Sequence, residues 1–359
     1  MNKIFTLSAL LFAATVLAQI PAGYYNNATG TGYTLKTQLY NIIKGHTDKG
    51  YDGLYTTYLT SDRDHFYEND NTVLDMYSEN PTGSDPYNFS PTNADQCGNY
   101  SHEGDCYNRE HIIPQSVFNS AAPMHNDAHF ITPTDGKVNG MRSNYPFGMV
   151  GNATFVSQNG SKLGPNLNSG YSAGYSATVF EPIDEFKGDI ARMYFYFATR
   201  YENVVSNYNY AMFNHTANQV FTPTFLEILK HWNAQDPVSA REIERNNAIY
   251  SRQGNRNPYI DHPEYVEMIW GAMLSTSSFD LTANIVVFPN PTNDHKINIQ
   301  SAETLEEIEL ISVNGQILQQ IKNPTSQNNV YTLENLPNGF YFLRLKSGIE
   351  SAVRRIVVN

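Results

Sequence analysis

Two stretches decide how this chain reads: CYNREHIIPQSVF at residues 106–118 and HNDAHFITPTDGKVNGMRSNYPFG at residues 125–148. Both are dense in polar groups. Glu110-His111 followed by Ile112-Ile113-Pro114 predicts a short strand that stops at the proline, which has no N–H to give a ladder. Thr134 or Asp135 is placed to cap a helix carrying Asn139 and Arg142 three residues apart, on one face. A strand, a return and a helix make a compact finger with Glu110, His111, His129 and Asn139 toward its interior.

The residue types suggest a chemistry. A carboxylate and an amide oxygen are hard ligands, suited to Mg²⁺ or another oxygen-preferring ion that keeps several waters. A neutral histidine beside such an ion removes a proton from water near pH 7. Together these are the minimum apparatus for phosphodiester hydrolysis. Arg109, Arg142 and Arg192 are candidate phosphate forks. One geometric condition applies: neighbours on a regular strand face opposite ways, so Glu110 and His111 serve one centre only if the strand ends or becomes irregular there. His125 and His129 stand four apart, but the glutamate of an HExxH zinc motif is missing and prolines crowd the segment. His129 is expected to brace the finger by hydrogen bonding and His125 to lie at the surface.

Outward from this centre, residues 188–204 and 222–232 place apolar residues at helical spacings, and residues 51–77 hold two weaker elements. Asn- and Gly-rich stretches at 80–105 and 151–175 read as loops. Past Ser275-Thr276-Ser277-Ser278 the texture changes to strand-like alternation (297–299, 308–313, 316–318, 340–345) punctuated by Asn314-Gly315 and Asn338-Gly339. The expected fold class is α+β: a mainly helical catalytic domain over residues 19–274, a linker at 275–286, and a small β-sandwich at 287–359. Residues 1–18 read as an export signal, with Lys3 before an apolar run and Val16-Leu17-Ala18 as a cleavage site. Export permits a disulfide, and Cys97 and Cys106 are the only cysteines. A bridge there stiffens the segment leading into Asn108-Arg109-Glu110-His111. The apolar run after Lys3 is too short to span a membrane comfortably as an anchor, and it is the only uninterrupted apolar run in the sequence.

The net charge of the 359 residues is −12, from 23 basic and 35 acidic side chains. Lys3 leaves with the signal, and the tail from Phe288 carries six basic against seven acidic residues, so residues 19–287 also hold −12. This argues against a broad basic track for a polyanion and leaves binding to a local rim and the ion.

NREHIIPQS, HFITPTDGKVNGMRSNYPFG, GDIARMYFYFATRY and WNAQDPVSAREIERNNAIYSRQGNRNPYIDHPE occur in that order and together resemble the bacterial endonuclease I family, non-specific nucleases with a ββα-metal (His-Me) finger. The resemblance implies that Glu110 and Asn139 ligate one divalent ion, commonly Mg²⁺ with Mn²⁺ or Ca²⁺ as alternatives. It implies that His111 is the general base, that an arginine (Arg142 or Arg192) acts on the phosphate, and that DNA and often RNA are cleaved to 5′-phosphorylated products. Arg109 and Arg256 are further candidates for substrate contact. Phe130 departs from the polar residue relatives often carry after the histidine. FPNPTND, LENLPNGFYFLRLKSG and the terminal RRIVVN resemble the C-terminal sorting domain of the type IX secretion system, which implies passage through that machinery to the outside. A monomer is expected. The rival readings are a surface nucleic-acid-binding protein without catalysis and a phosphodiesterase of small esters. The intact set Glu110, His111 and Asn139 favours the nuclease.

Overall fold

The structure, a computed structural model, describes residues 20–271, 285–301, 304–347 and 350–359. The expected signal at 1–18 and most of the expected linker lie outside them. The chain divides into two compact units, Met1–Gly271 and Ala272–Asn359.

In the first unit the elements run α1 (Gly32–Ile43), α2 (Gly53–Ser61), β1 (Tyr107–His111), β2 (Ile131–Asp135), α3 (Gly136–Arg142), β3 (Phe155–Val156), β4 (Lys162–Pro165), β5 (Thr178–Glu181), α4 (Lys187–Arg200), α5 (Pro223–Gln235), α6 (Ala240–Gln253), α7 (Pro258–Asp261) and α8 (Glu264–Trp270). All fourteen residues of α4 are buried. It packs against α1, α5 and α7 and carries Ile190, Tyr194, Phe195, Tyr196 and Phe197 into the core. A helix buried all round must satisfy its polar side chains internally. Asp189 pairs with Arg241, and Thr199 exchanges a hydrogen bond with Tyr259 at 2.5 Å.

β1 and β2 pair antiparallel, with Glu110 opposite Thr132 and His111 opposite Ile131, and α3 follows β2 without a break. Asp135 caps α3 by accepting from Val138 N at 2.8 Å, the role expected of Thr134 or Asp135. Its own N–H donates to the buried Asp75 Oδ2 at 2.8 Å, which fixes the helix start against the segment before β1.

Cys97 and Cys106 form a disulfide. The loop they close lies on α3. A Cβ at Gly136 would meet Cys97 Sγ and the Tyr100 ring, and one at Gly140 would meet the Tyr100 hydroxyl. The two glycines, four apart and so on one helix face, permit this approach. Replacing both cysteines by serine is expected to lower stability by about 2–3 kcal/mol from loop entropy, measured by urea unfolding. An unchanged midpoint would show that the packing of Tyr100 alone holds the loop.

The stretch expected to loop at 151–175 contains β3 and β4, which join β5 in a three-stranded sheet. Strands of two and four residues, set in a stretch rich in Gly and Asn, carry too little periodicity to read locally.

The second unit has β6 (Ile285–Phe288), β7 (Ile297–Ser301), β8 (Glu307–Ser312), β9 (Ile317–Lys322), β10 (Val330–Leu333), β11 (Gly339–Ser347) and β12 (Glu350–Val358). They form two antiparallel sheets in the orders β10-β7-β6 and β12-β11-β8-β9. Ile297, Ile299 and Leu333 of one share a core with Leu310, Leu343 and Ile356 of the other. Ile285 and Val286, placed with the linker on sequence, open β6, and Ile285 belongs to this core.

Candidate active site

His111 is the last residue of β1, and this resolves the alternation problem. The chain leaves the ladder at Ile112-Ile113-Pro114. The buried Arg142 clamps the departure, Nη1 donating to the His111 carbonyl at 2.8 Å and Nη2 to the Ile112 carbonyl at 2.5 Å. Glu110 and His111 consequently line one cavity of about 220 Å³, together with Asn108, Arg109, Asn139 and Arg142.

Glu110 is 2% exposed. Its Oε1 accepts from Tyr77 Oη at 3.0 Å and pairs with Arg142 Nη1 at 3.1 Å. Oε2 takes no hydrogen bond among the described residues. Burial pushes this carboxyl up to about 7, against the opposing pull of Arg142 and Tyr77. Asn139 Nδ2 donates to Asn108 Oδ1 at 2.6 Å, so the amide is oriented and its oxygen is the atom left for a ligand. One carboxylate oxygen and one amide oxygen without protein donors, in a polar cavity, suit a hard divalent ion.

The His111 ring is fixed by one bond. Nε2 lies 3.3 Å from the His125 carbonyl oxygen. A carbonyl only accepts, so Nε2 carries the proton and Nδ1 keeps its lone pair. Burial lowers the imidazole to about 3, an effect that the bond to the carbonyl opposes and the neighbouring His125, Arg109 and Arg142 reinforce. The ring is neutral throughout the physiological range. His125 also stacks on Tyr51 with ring centroids 4.0 Å apart, and Tyr51 lies 3.4 Å beneath the Arg109 guanidinium carbon. Arg109 Nη1 reaches the Tyr51 carbonyl and Asp52 Oδ1, both at 3.0 Å, at the cavity mouth.

Not every expected residue comes to this cavity. Arg192 is fully buried in α4, with Nε and Nη2 on the two Glu242 oxygens at 2.6 and 2.7 Å and Nη1 on Asn233 and the Asp236 carbonyl. Arg256 holds both oxygens of Asp261 at 2.6 and 2.7 Å and also Asn247. Both guanidinium groups are buried on carboxylates, with Arg256 Nη1 alone left without a partner. Arg192 and Arg256, both expected at the substrate, are thus not among the residues lining this cavity: sequence spacing shows which face a side chain is on but not whether a carboxylate waits there. Arg192→Ala and Arg256→Ala are each expected to cost about 3–5 kcal/mol by stranding a buried carboxylate, with KM unchanged in whatever folds. A raised KM at unchanged melting temperature would restore the substrate role.

His129 binds the Asn255 carbonyl through Nε2 at 3.0 Å and is absent from the cavity, so it ties the approach to β2 to the segment after α6 rather than lying inside the finger. Phe130 packs on Phe118, Phe197 and Tyr201 in the core, so its apolar character leaves the cavity lining untouched. Sequence reasoning missed Asn108, Tyr77 and the contribution of His125. Only Asn108 had a local signal, as the residue two before Glu110 and hence on its side of the strand.

Residues 31–264 match the family model described as Endonuclease I, and residues 286–359 match that of the secretion system C-terminal sorting domain. Over 253 residues the chain is 35% identical to an extracellular ribonuclease of Bacillus amyloliquefaciens, covering 69% of this chain and 78% of that one. The identity and coverage are the same for an extracellular ribonuclease of Bacillus subtilis (strain 168). An endonuclease-1 of Buchnera aphidicola subsp. Acyrthosiphon pisum is 28% identical over 137 residues, covering 38% of this chain and 45% of that one. These matches define a nuclease. The chain belongs to the endonuclease I family, and its sorting domain makes it a secreted or cell-surface protein.

Proposed function

We propose that this protein is an extracellular, divalent-metal-dependent endonuclease that hydrolyses DNA, and RNA as the names of its Bacillus relatives suggest, with little sequence preference. The observation carrying the proposal is His111, whose Nε2 is pinned to the His125 carbonyl while its ring lines the cavity of Glu110 and Asn139.

In this reading His111 Nδ1 takes the proton of a water aligned with the scissile phosphorus. Asn108 orients the Asn139 amide so that its oxygen, with Glu110, holds the cation. Bound there, a divalent ion such as Mg²⁺ supplies positive charge against the phosphate and the departing 3′-oxygen. Arg142 acts as a positioning residue: through Nη1 and Nη2 it holds Glu110 and the two carbonyls where the strand ends, while its buried Nε has no partner. Arg109, at the mouth and stacked on Tyr51, binds a flanking phosphate.

Incubating the secreted chain with labelled double- and single-stranded DNA and with RNA, in Mg²⁺, tests this. Products ending in 5′-phosphate, from many sequence positions, are expected. Products ending in 3′-phosphate would refute in-line release of the 3′-oxygen.

The charge of −12 adds a prediction about affinity. Each phosphate neutralised contributes roughly −0.9 to the slope of log K against log salt, and few basic groups surround the cavity. The metal-free protein is expected to bind DNA weakly, with a shallow salt slope in fluorescence anisotropy. Nanomolar binding at high salt by metal-free protein would contradict it.

A further inference from the structure

Asp64, Glu68 and Glu79 lie between α2 and β1, in neither of the segments that line the active-site cavity, and each brings a carboxylate oxygen within 4.8 Å of the others. Asp64 is 2% and Glu79 1% exposed. Asp64 is partly satisfied by the N–H groups of Phe66, Tyr67 and Asn69. The other two are not. Glu79 Oε1 and both oxygens of Glu68 are shut off from water and take no hydrogen bond.

Buried carboxylates without donors are costly unless a counter-charge is present. The cation acting on Glu79 is Arg241, but that guanidinium is paired with Asp189 and faces the Phe186 ring, while Asp85 adds a further negative charge. What the cluster offers is an all-oxygen donor set. Two oxygens on opposite sides of a Ca²⁺ ion, at about 2.3–2.6 Å each, stand up to ~5 Å apart, whereas Mg²⁺ at about 2.0–2.1 Å draws them to ~4 Å. Both spacings fall within the 4.8 Å that bounds these oxygens, but the Glu68 oxygens and Glu79 Oε1 are shut off from water, and Mg²⁺ keeps several waters where Ca²⁺ takes protein oxygens in a flexible geometry.

We propose that Asp64, Glu68 and Glu79 bind a structural calcium ion, distinct from the ion of the nuclease cavity. The site has a clear structural consequence. The segment it closes also carries Asp75, which accepts from the first residue before α3, and Tyr77, which donates to Glu110. Calcium joining Asp64 and Glu68 to Glu79 closes the segment that holds Asp75 and Tyr77 against the finger.

The test uses the full chain carrying Asn139→Ala, which weakens the cavity as a competing site. Equilibrium dialysis against ⁴⁵Ca²⁺ should give one ion per chain, and melting should occur several degrees higher in Ca²⁺ than in equimolar Mg²⁺ or EDTA. Adding Glu79→Gln or Glu68→Gln should abolish both effects. In EDTA these variants should melt no lower than their parent, because each removes a like charge. Should Glu79→Gln fail to fold, the half-buried Glu68→Gln carries the same test. Absence of bound calcium in the Asn139→Ala chain overturns the proposal, as does calcium binding that persists unchanged in both glutamine variants. Either result would mean that the cluster is neutralised by protons.

Discussion

Replacing His111 by alanine is expected to lower kcat by about 10²–10⁴-fold, the usual contribution of a positioned general base. KM and the melting temperature should change little. The ring makes one hydrogen bond, to the His125 carbonyl, and no salt bridge, so its removal leaves no buried charge unpaired. His111→Gln is the sharper variant: an amide can still donate to that carbonyl but is no base. Single-turnover cleavage of a labelled duplex reads the effect. Equal activity of wild type and His111→Gln would remove His111 from the proton transfer.

Glu110→Gln is expected to have the second large effect, on cation affinity rather than on the base. An anionic ligand is replaced by a neutral one of the same shape, and the Tyr77 hydrogen bond can still form. The Mg²⁺ concentration for half-maximal activity should rise by more than the roughly 10–100-fold that loss of an outer-shell partner produces. The variant also leaves Arg142 without its carboxylate, so folding must be verified by circular dichroism before the metal titration is read. The same group sets a pH dependence. The Glu110 carboxyl sits near 7 before a cation binds, above its ordinary range. As pH falls below that value the carboxyl takes up a proton, which competes with the cation, and activity drops. Higher Mg²⁺ should therefore move the acid limb of the rate profile to lower pH. The His111 ring, lowered to about 3, is already neutral across this window and cannot generate that limb. An acid limb that stays fixed as Mg²⁺ is raised would assign it to another group.

The finger was legible because its signals are local. Pro114 marks the strand end, Asp135 the cap, and Asn139 the inward face of a short helix, and all three lie within 28 residues of His111. The aromatic pattern of α4 was legible as a core helix for the same reason. What escaped was long-range pairing. The carboxylate that occupies Arg192 comes from α6, 50 residues on, and no spacing rule announces that Glu242 caps its own helix and grips Arg192 at once; the Asp261 that holds Arg256 is only five residues away and was missed locally. Tyr77 reaches Glu110 across 33 positions, and β3, β4, β10 and β12 acquire strand character only from their partners. Charge told part of the story, since the overall −12 excluded a basic track, yet it gave no sign of the carboxylates gathered at Asp64, Glu68 and Glu79.

The central claim is metal-dependent cleavage at one cavity, and supercoiled plasmid tests it most directly. The full chain is assayed after EDTA treatment, after Mg²⁺ is restored, and as the Glu110→Gln/Asn139→Ala double variant in Mg²⁺. The account predicts no conversion in EDTA, nicked and then linear plasmid on adding Mg²⁺, and neither product from the double variant. Cleavage that survives EDTA, or that the double variant performs at the wild-type rate, would contradict it.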